Sequence, residues 1–101
     1  MTISIFLGYT IIEEQSFQTA IDSLKGKYPR LYNDVVDTLT WTLGKNPEIG
    51  AIPINEPDHR IFITTPVGET PSFSVLYRVD KPGGKVYLLS ITPVVQLEEE
   101  L

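Results

Sequence analysis

Four residues of this sequence combine proton chemistry with anion binding: His59, Arg60, Arg78 and Tyr87. An imidazole can act as acid or base near neutral pH, guanidiniums can hold a phosphate, and a phenol can donate a proton. The plain reading of each competes with this. A lone histidine between Asp58 and Arg60 suits a surface turn, Arg78 a solvated strand position, and Tyr87 a core position with its hydroxyl at the rim. Lys25, Lys27 and Arg30 form the one local basic cluster, able to touch RNA or DNA phosphates or simply to solvate a turn. Trp41 is the sole tryptophan, a residue type favoured where binding energy concentrates on a partner chain. Zero cysteines exclude disulfides and thiolate metal sites. Glu13-Glu14 and Glu98 to Glu100 have no histidine nearby and lack metal-ligand spacing, so no metal or other cofactor is expected. Gly83-Gly84 is a turn rather than a phosphate loop, because no helix follows it.

The elements that must position these residues follow from periodicity. Phe73, Val75, Tyr77 and Val79 alternate with Ser74, Leu76, Arg78 and Asp80, the pattern of a half-buried strand. Lys81-Pro82-Gly83-Gly84 then reverses the chain, since proline presets φ and glycine accepts φ > 0. Val86 to Ile91 is apolar almost throughout and reads as a central strand covered on both sides. If the 66-to-71 loop joins neighbouring strands, Arg60 falls opposite Tyr77 or Arg78, and Arg78 falls near Tyr87 across the turn. That register gathers His59, Arg60, Arg78 and Tyr87 at one end of a sheet, while a single step would split them across its two faces.

Upstream, a first strand is expected within Ile3 to Ile12, over Tyr9 to Ile12. Phe17, Ala20, Ile21, Leu24 and Tyr28 form one stripe of a helix that Ser16 could cap. Gly26 and Pro29 separate it from a second helix, whose Tyr32, Val35, Val36, Leu39 and Leu43 lie within about 100° on a 3.6-residue wheel. Trp41 falls opposite that stripe, on the face of Arg30, Asp34 and Asp37. Gly44 and Pro47 stop the helix. Residues 48–58 are an irregular crossing, and Arg60 to Thr65 resumes as a strand. The expected fold is α+β: an N-terminal strand and a two-helix hairpin packed on a mainly antiparallel four-stranded sheet, in the order β-α-α-β-β-β.

The chain has 101 residues, 42% of them apolar and 21% charged, which suits one folded domain over residues 1–101. Its tail, residues 96–101, is expected to fray. Met1 to Tyr9 is apolar but has no basic flank and is too short to span a bilayer, so the expected place is the cytoplasm, with no membrane partner. A net charge of −5 repels a polyphosphate globally, so contact with nucleic acid needs a local basic patch.

Phe17 to Leu24, Tyr28-Pro29, Leu39 to Leu43 with Asn46-Pro47, the strand Phe73-Ser74-Val75-Leu76-Tyr77-Arg78-Val79-Asp80, and Val86 to Ile91 together resemble the RelE/ParE toxin superfamily, over about residues 9 to 93. The resemblance implies the toxin of a bacterial type II toxin–antitoxin system, restrained by an antitoxin protein. RelE-like members are mRNA interferases, endoribonucleases that cut messenger RNA on the ribosome, and ParE-like members inhibit DNA gyrase. Where RelE-type enzymes carry lysines on the sheet, this chain has Phe62 and Thr64, and where arginine is common on the next strand it has Ser74. Past the last strand, in place of a basic or histidine-containing segment, it reads Thr92-Pro93-Val94-Val95. The standard cation set is therefore not filled. Three functions fit: a ribonuclease with another residue set, a non-catalytic toxin of the gyrase-inhibitor type, and an interaction module that has lost toxicity.

Overall fold

In a computed structural model the described residues are 8–53 and 55–94. They follow the order β1 (Thr10–Glu13), α1 (Gln15–Leu24), a π-helical segment (Tyr32–Val36) that continues as α2 (Asp37–Lys45), β2 (His59–Ile63), β3 (Phe73–Asp80) and β4 (Lys85–Pro93). The four strands form one sheet in the order β1-β4-β3-β2. β2, β3 and β4 pair antiparallel, and β1 runs parallel to β4. The parallel pair is possible because β1 and β4 are far apart in the chain, with both helices, β2 and β3 between them. Both the Met1 to Leu7 stretch and the tail expected to fray lie outside the described residues.

The helices cover one face only. Phe17, Ile21, Leu31, Val35, Val36, Leu39 and Leu43 meet Phe73, Val75, Tyr77, Val86, Leu88 and Ile91 in a single buried cluster. Burial of aliphatic and aromatic side chains of this size contributes about 1.5–3 kcal/mol each, so this interface is the main source of stability. The Tyr28 ring, beyond the end of α1, closes its edge by standing at 89° to Phe73 with centroids 5.2 Å apart.

Three local expectations are corrected. Ser16 does not cap α1: Glu14 takes the N-cap position, and the Ser16 hydroxyl donates across to the Leu89 carbonyl at 2.5 Å. In the second helix Leu31 is fully buried and Tyr32 is exposed. A π turn takes more residues than an α turn, so the stripe leading to Val35 and Val36 starts one residue earlier than a 3.6-residue wheel places it. β4 is central in the sheet, but among the described residues no element covers its second face. Its unbroken apolar run reflects a bulge: Tyr77 pairs with Leu88 and Leu76 with Ser90, which leaves Leu89 unpaired. The extra residue shifts the two-residue period, so Val86, Leu88 and Ile91 all face the helices.

The β3–β4 turn behaves as its sequence requires. Gly84 adopts φ +67, its N–H donates to the Lys81 carbonyl at 3.1 Å, and the Gly83 N–H donates to Asp80 Oδ1 at 3.1 Å.

Candidate functional site

Register places Ile12, Tyr87, Arg78 and His59 in one row across all four strands, since Ile12 pairs with Tyr87, Tyr87 with Arg78, and Arg78 with His59. Paired residues share a face, and Tyr77 and Val79, which flank Arg78, lie toward the helices. The row therefore lies on the face away from the helices. Beyond it come rungs of Ser90, Leu76 and Ile61, then of Thr92, Ser74 and Ile63.

Within the row the Arg78 guanidinium carbon stands 4.3 Å from the centroid of the Tyr87 ring. Attraction between cation and ring face holds the guanidinium over the phenol without using the N–H groups of this half-buried arginine, which stay available to an anion. The His59 side chain is 27% exposed, and its Nδ1 lies 3.3 Å from Glu56 Oε1 without the alignment of a hydrogen bond. Glu56 was not legible as a neighbour. Its one signal is a carboxylate three residues ahead of the histidine in a proline-bounded turn, closed by the His59 N–H donating to the Glu56 carbonyl at 3.0 Å.

Arg60 is brought to the same end of the sheet but to the other face. It pairs with Tyr77, on the helix side, and its Nη1 donates to the carbonyls of Glu48 at 3.1 Å and Gly50 at 2.8 Å. The Tyr77 hydroxyl completes this support by donating to the Pro47 carbonyl at 2.8 Å and accepting from the Gly50 N–H at 2.9 Å. Burial pushes the Tyr77 phenol up from its ordinary pKa, and the Gly50 N–H opposes that by favouring the phenolate. Arg60 and Tyr77 thus tie the crossing after α2 to β2 and β3. A separate polar cleft of about 290 Å³, lined in part by Glu48, Asp58, Arg60 and Lys81, opens beside this crossing. Lys81 pairs with Glu48 there, and that contact lowers the Glu48 carboxyl and raises the Lys81 ammonium.

The remaining candidates are dispersed. Trp41 is 67% exposed on the outer side of α2, with Lys45 Nζ 4.2 Å from its ring centroid, a pair announced by the four-residue spacing. Asp34, expected to face outward beside it, is instead only 11% exposed. It accepts from the Thr70 hydroxyl at 3.0 Å and pairs with Arg30 at 3.3 Å, because the loop between β2 and β3 folds over the helix. Lys25 pairs with Asp22 at 3.3 Å and Lys27 lies 5.6 Å from the Tyr28 ring, so the cluster at the helix link belongs to the helical layer. Phe62 packs on the core, and the Thr64 hydroxyl accepts from the Phe73 N–H at 2.9 Å. The two positions where the resemblance looks for lysines are therefore spent on packing and strand closure. Among the described residues no group of histidine and carboxylates is placed to hold a metal, and no helix is long and apolar enough to cross a membrane.

No protein-family model and no curated protein sequence matches the chain. Solved structures do. The RelBE2 toxin–antitoxin complex from Mycobacterium tuberculosis contains a chain with TM-score 0.72 and 18% identity, over 90% of this chain and 97% of that one. A mutant of the E. coli toxin RelE in the free state gives TM-score 0.60 and 14% identity, over 93% and 88%. Both match the arrangement of two helices on a four-stranded mixed sheet described above, so this chain has a RelE-like fold.

Proposed function

We propose that this protein is the toxin half of a cytoplasmic toxin–antitoxin pair and that it cleaves RNA on the sheet face away from the helices. One observation carries the reading: His59, Arg78 and Tyr87 sit on three adjacent strands in a single row. Cleavage through a ribose 2′-hydroxyl forms a bond from that oxygen to phosphorus and breaks the bond to the 5′-oxygen. Charge builds on the phosphate, a base takes the 2′ proton, and an acid supplies one to the departing oxygen. Arg78 stabilises the charge, His59 takes the proton, and the Tyr87 hydroxyl delivers the other. Arg60 serves as scaffold here, because its donors hold the crossing after α2 on the opposite face. The antitoxin partner is supported by the complex in which the M. tuberculosis neighbour is found.

A second reading is a toxin without chemistry that binds an essential protein such as gyrase. The exposure of Trp41 favours it, since an indole at 67% exposure is a ready anchor. The basic residues Lys25, Lys27 and Arg30 would then contact nucleic acid held by that target. Induced expression in a bacterial host separates the two. Growth arrest with early loss of messenger RNA is the expected outcome, whereas arrest with a DNA-damage response and intact messenger RNA favours the second reading. Absence of arrest rejects both.

A further inference from the structure

His59 is the only histidine of the chain, and its two ring nitrogens meet different surroundings. Nδ1 is shut off from solvent and makes no hydrogen bond among the described residues, yet the Glu56 carboxylate stands 3.3 Å away. The side chain keeps its partial exposure through the far side of the ring, where Nε2 lies. A buried nitrogen left without a partner is costly. The Glu56 side chain is 54% exposed, so its carboxylate is free to turn about its last bond into line with Nδ1. Backbone holds the pair together. The His59 N–H donates to the Glu56 carbonyl at 3.0 Å, the Glu56 N–H donates to the Pro53 carbonyl at 3.3 Å, and Pro57 presets the chain between them. Asp58 directly precedes His59 but lines the cleft with Glu48 and Arg60, so Glu56 is the carboxylate that serves the ring.

A carboxylate accepts hydrogen bonds and repels a lone pair. The neutral imidazole that faces it therefore carries its proton on Nδ1 and its lone pair on Nε2. We propose that Glu56 is a positioning residue: it holds the His59 proton on Nδ1 and so makes Nε2 the base that takes the ribose 2′ proton. This role rests on the ribonuclease reading. The proton passes from the 2′-oxygen to Nε2 while Nδ1 keeps its own, and the carboxylate stays ionised throughout. The ring is then a cation whose register partner, Arg78, is a second cation. The Glu56 charge offsets the crowding of the two.

A single histidine makes the readout unambiguous. Long-range nitrogen–proton NMR spectra of the full chain, taken at a pH where the ring is neutral, should show the Nδ1–H tautomer. Glu56→Ala should give the Nε2–H form, which a free histidine side chain prefers in water. The turn is closed by the backbone carbonyl of residue 56, so the variant should keep the circular dichroism of the parent. Induced at equal soluble level, it should cut RNA more slowly by up to about a hundredfold, the lower end of what a general base contributes. An Nε2–H tautomer in the parent, or the same tautomer in parent and variant, would overturn the proposal. So would cleavage by the variant at the parent's rate. The tautomer is read without RNA. A parent that holds Nδ1–H but cuts no RNA sinks the ribonuclease reading while Glu56 still sets the ring, so the two failures are told apart.

Discussion

The Arg78 guanidinium carbon stands over the Tyr87 ring, 4.3 Å from its centroid, across a register pair of β3 and β4. The stack fixes the one arginine of the face away from the helices without spending its hydrogen bonds. Arg78→Ala should therefore cost little stability, about 0.5–1 kcal/mol for a partly exposed cation–π contact, which thermal denaturation reads as a few degrees of Tm. The far-ultraviolet circular dichroism should be unchanged. A collapse of the fold would mean that the residue is structural.

Tyr77 answers differently. Its hydroxyl serves both the Pro47 carbonyl and the Gly50 N–H in a buried setting, so Tyr77→Phe leaves two groups unpaired and should cost about 1–3 kcal/mol. The pH profile separates this from simple repacking. An unfolded tyrosine titrates near 10.0, and burial holds the folded Tyr77 above that. Between those values the native state keeps a proton that the unfolded state has lost. Stability is therefore full below pH 10 and falls as pH rises through the folded value. Tyr32 is raised in the same direction, by burial and by its hydrogen bond to Glu13. Urea denaturation across that window should show a shallower loss for Tyr77→Phe than for the parent protein.

Gly50 is the counterpart of that tyrosine. A Cβ there would stand 2.6 Å from the Tyr77 hydroxyl oxygen and 2.7 Å from the Ile61 carbonyl oxygen. Gly50→Ala should destabilise by about 1–3 kcal/mol, as overpacking against fixed atoms does. Adding Tyr77→Phe should not rescue it, because the Ile61 backbone stays in the way. Equal urea midpoints for Gly50→Ala and the parent would show that the crossing can relax.

Trp41 is the only indole, so emission reports on it alone. At 67% exposure it should be open to acrylamide in the free chain, and Trp41→Ala should alter stability by less than about 0.5 kcal/mol. If it anchors a partner, titration with the product of a neighbouring small reading frame should shift emission to the blue and protect it from acrylamide. Unchanged quenching in a complex seen by size exclusion would assign the interface elsewhere.

Sequence disclosed the strands more readily than the site. β3 was legible residue for residue, because alternation from Phe73 to Asp80 and the Pro-Gly-Gly turn act locally. The π turn at Tyr32 and the bulge at Leu89 were not, since each inserts a residue to satisfy packing that forms only when the layers meet. The two arginines show the same limit. Arg60 and Arg78 were expected at one end of the sheet, and they are, but a one-residue register choice puts them on opposite faces. That choice is made by the whole of β2 and β3, with Phe62 and Val75 turned to the core. Nothing in the neighbourhood of Arg60 announces that two backbone carbonyls consume its donors.

The ends of RNA fragments made after induction report most directly on cleavage at the Arg78 row. The parent protein should leave new fragments with 5′-hydroxyl and 2′,3′-cyclic phosphate ends, and Arg78→Ala, present at equal soluble level, should leave none. Undiminished cleavage by Arg78→Ala, or arrest of growth with no such fragments from the parent, would contradict a ribonuclease built on that row.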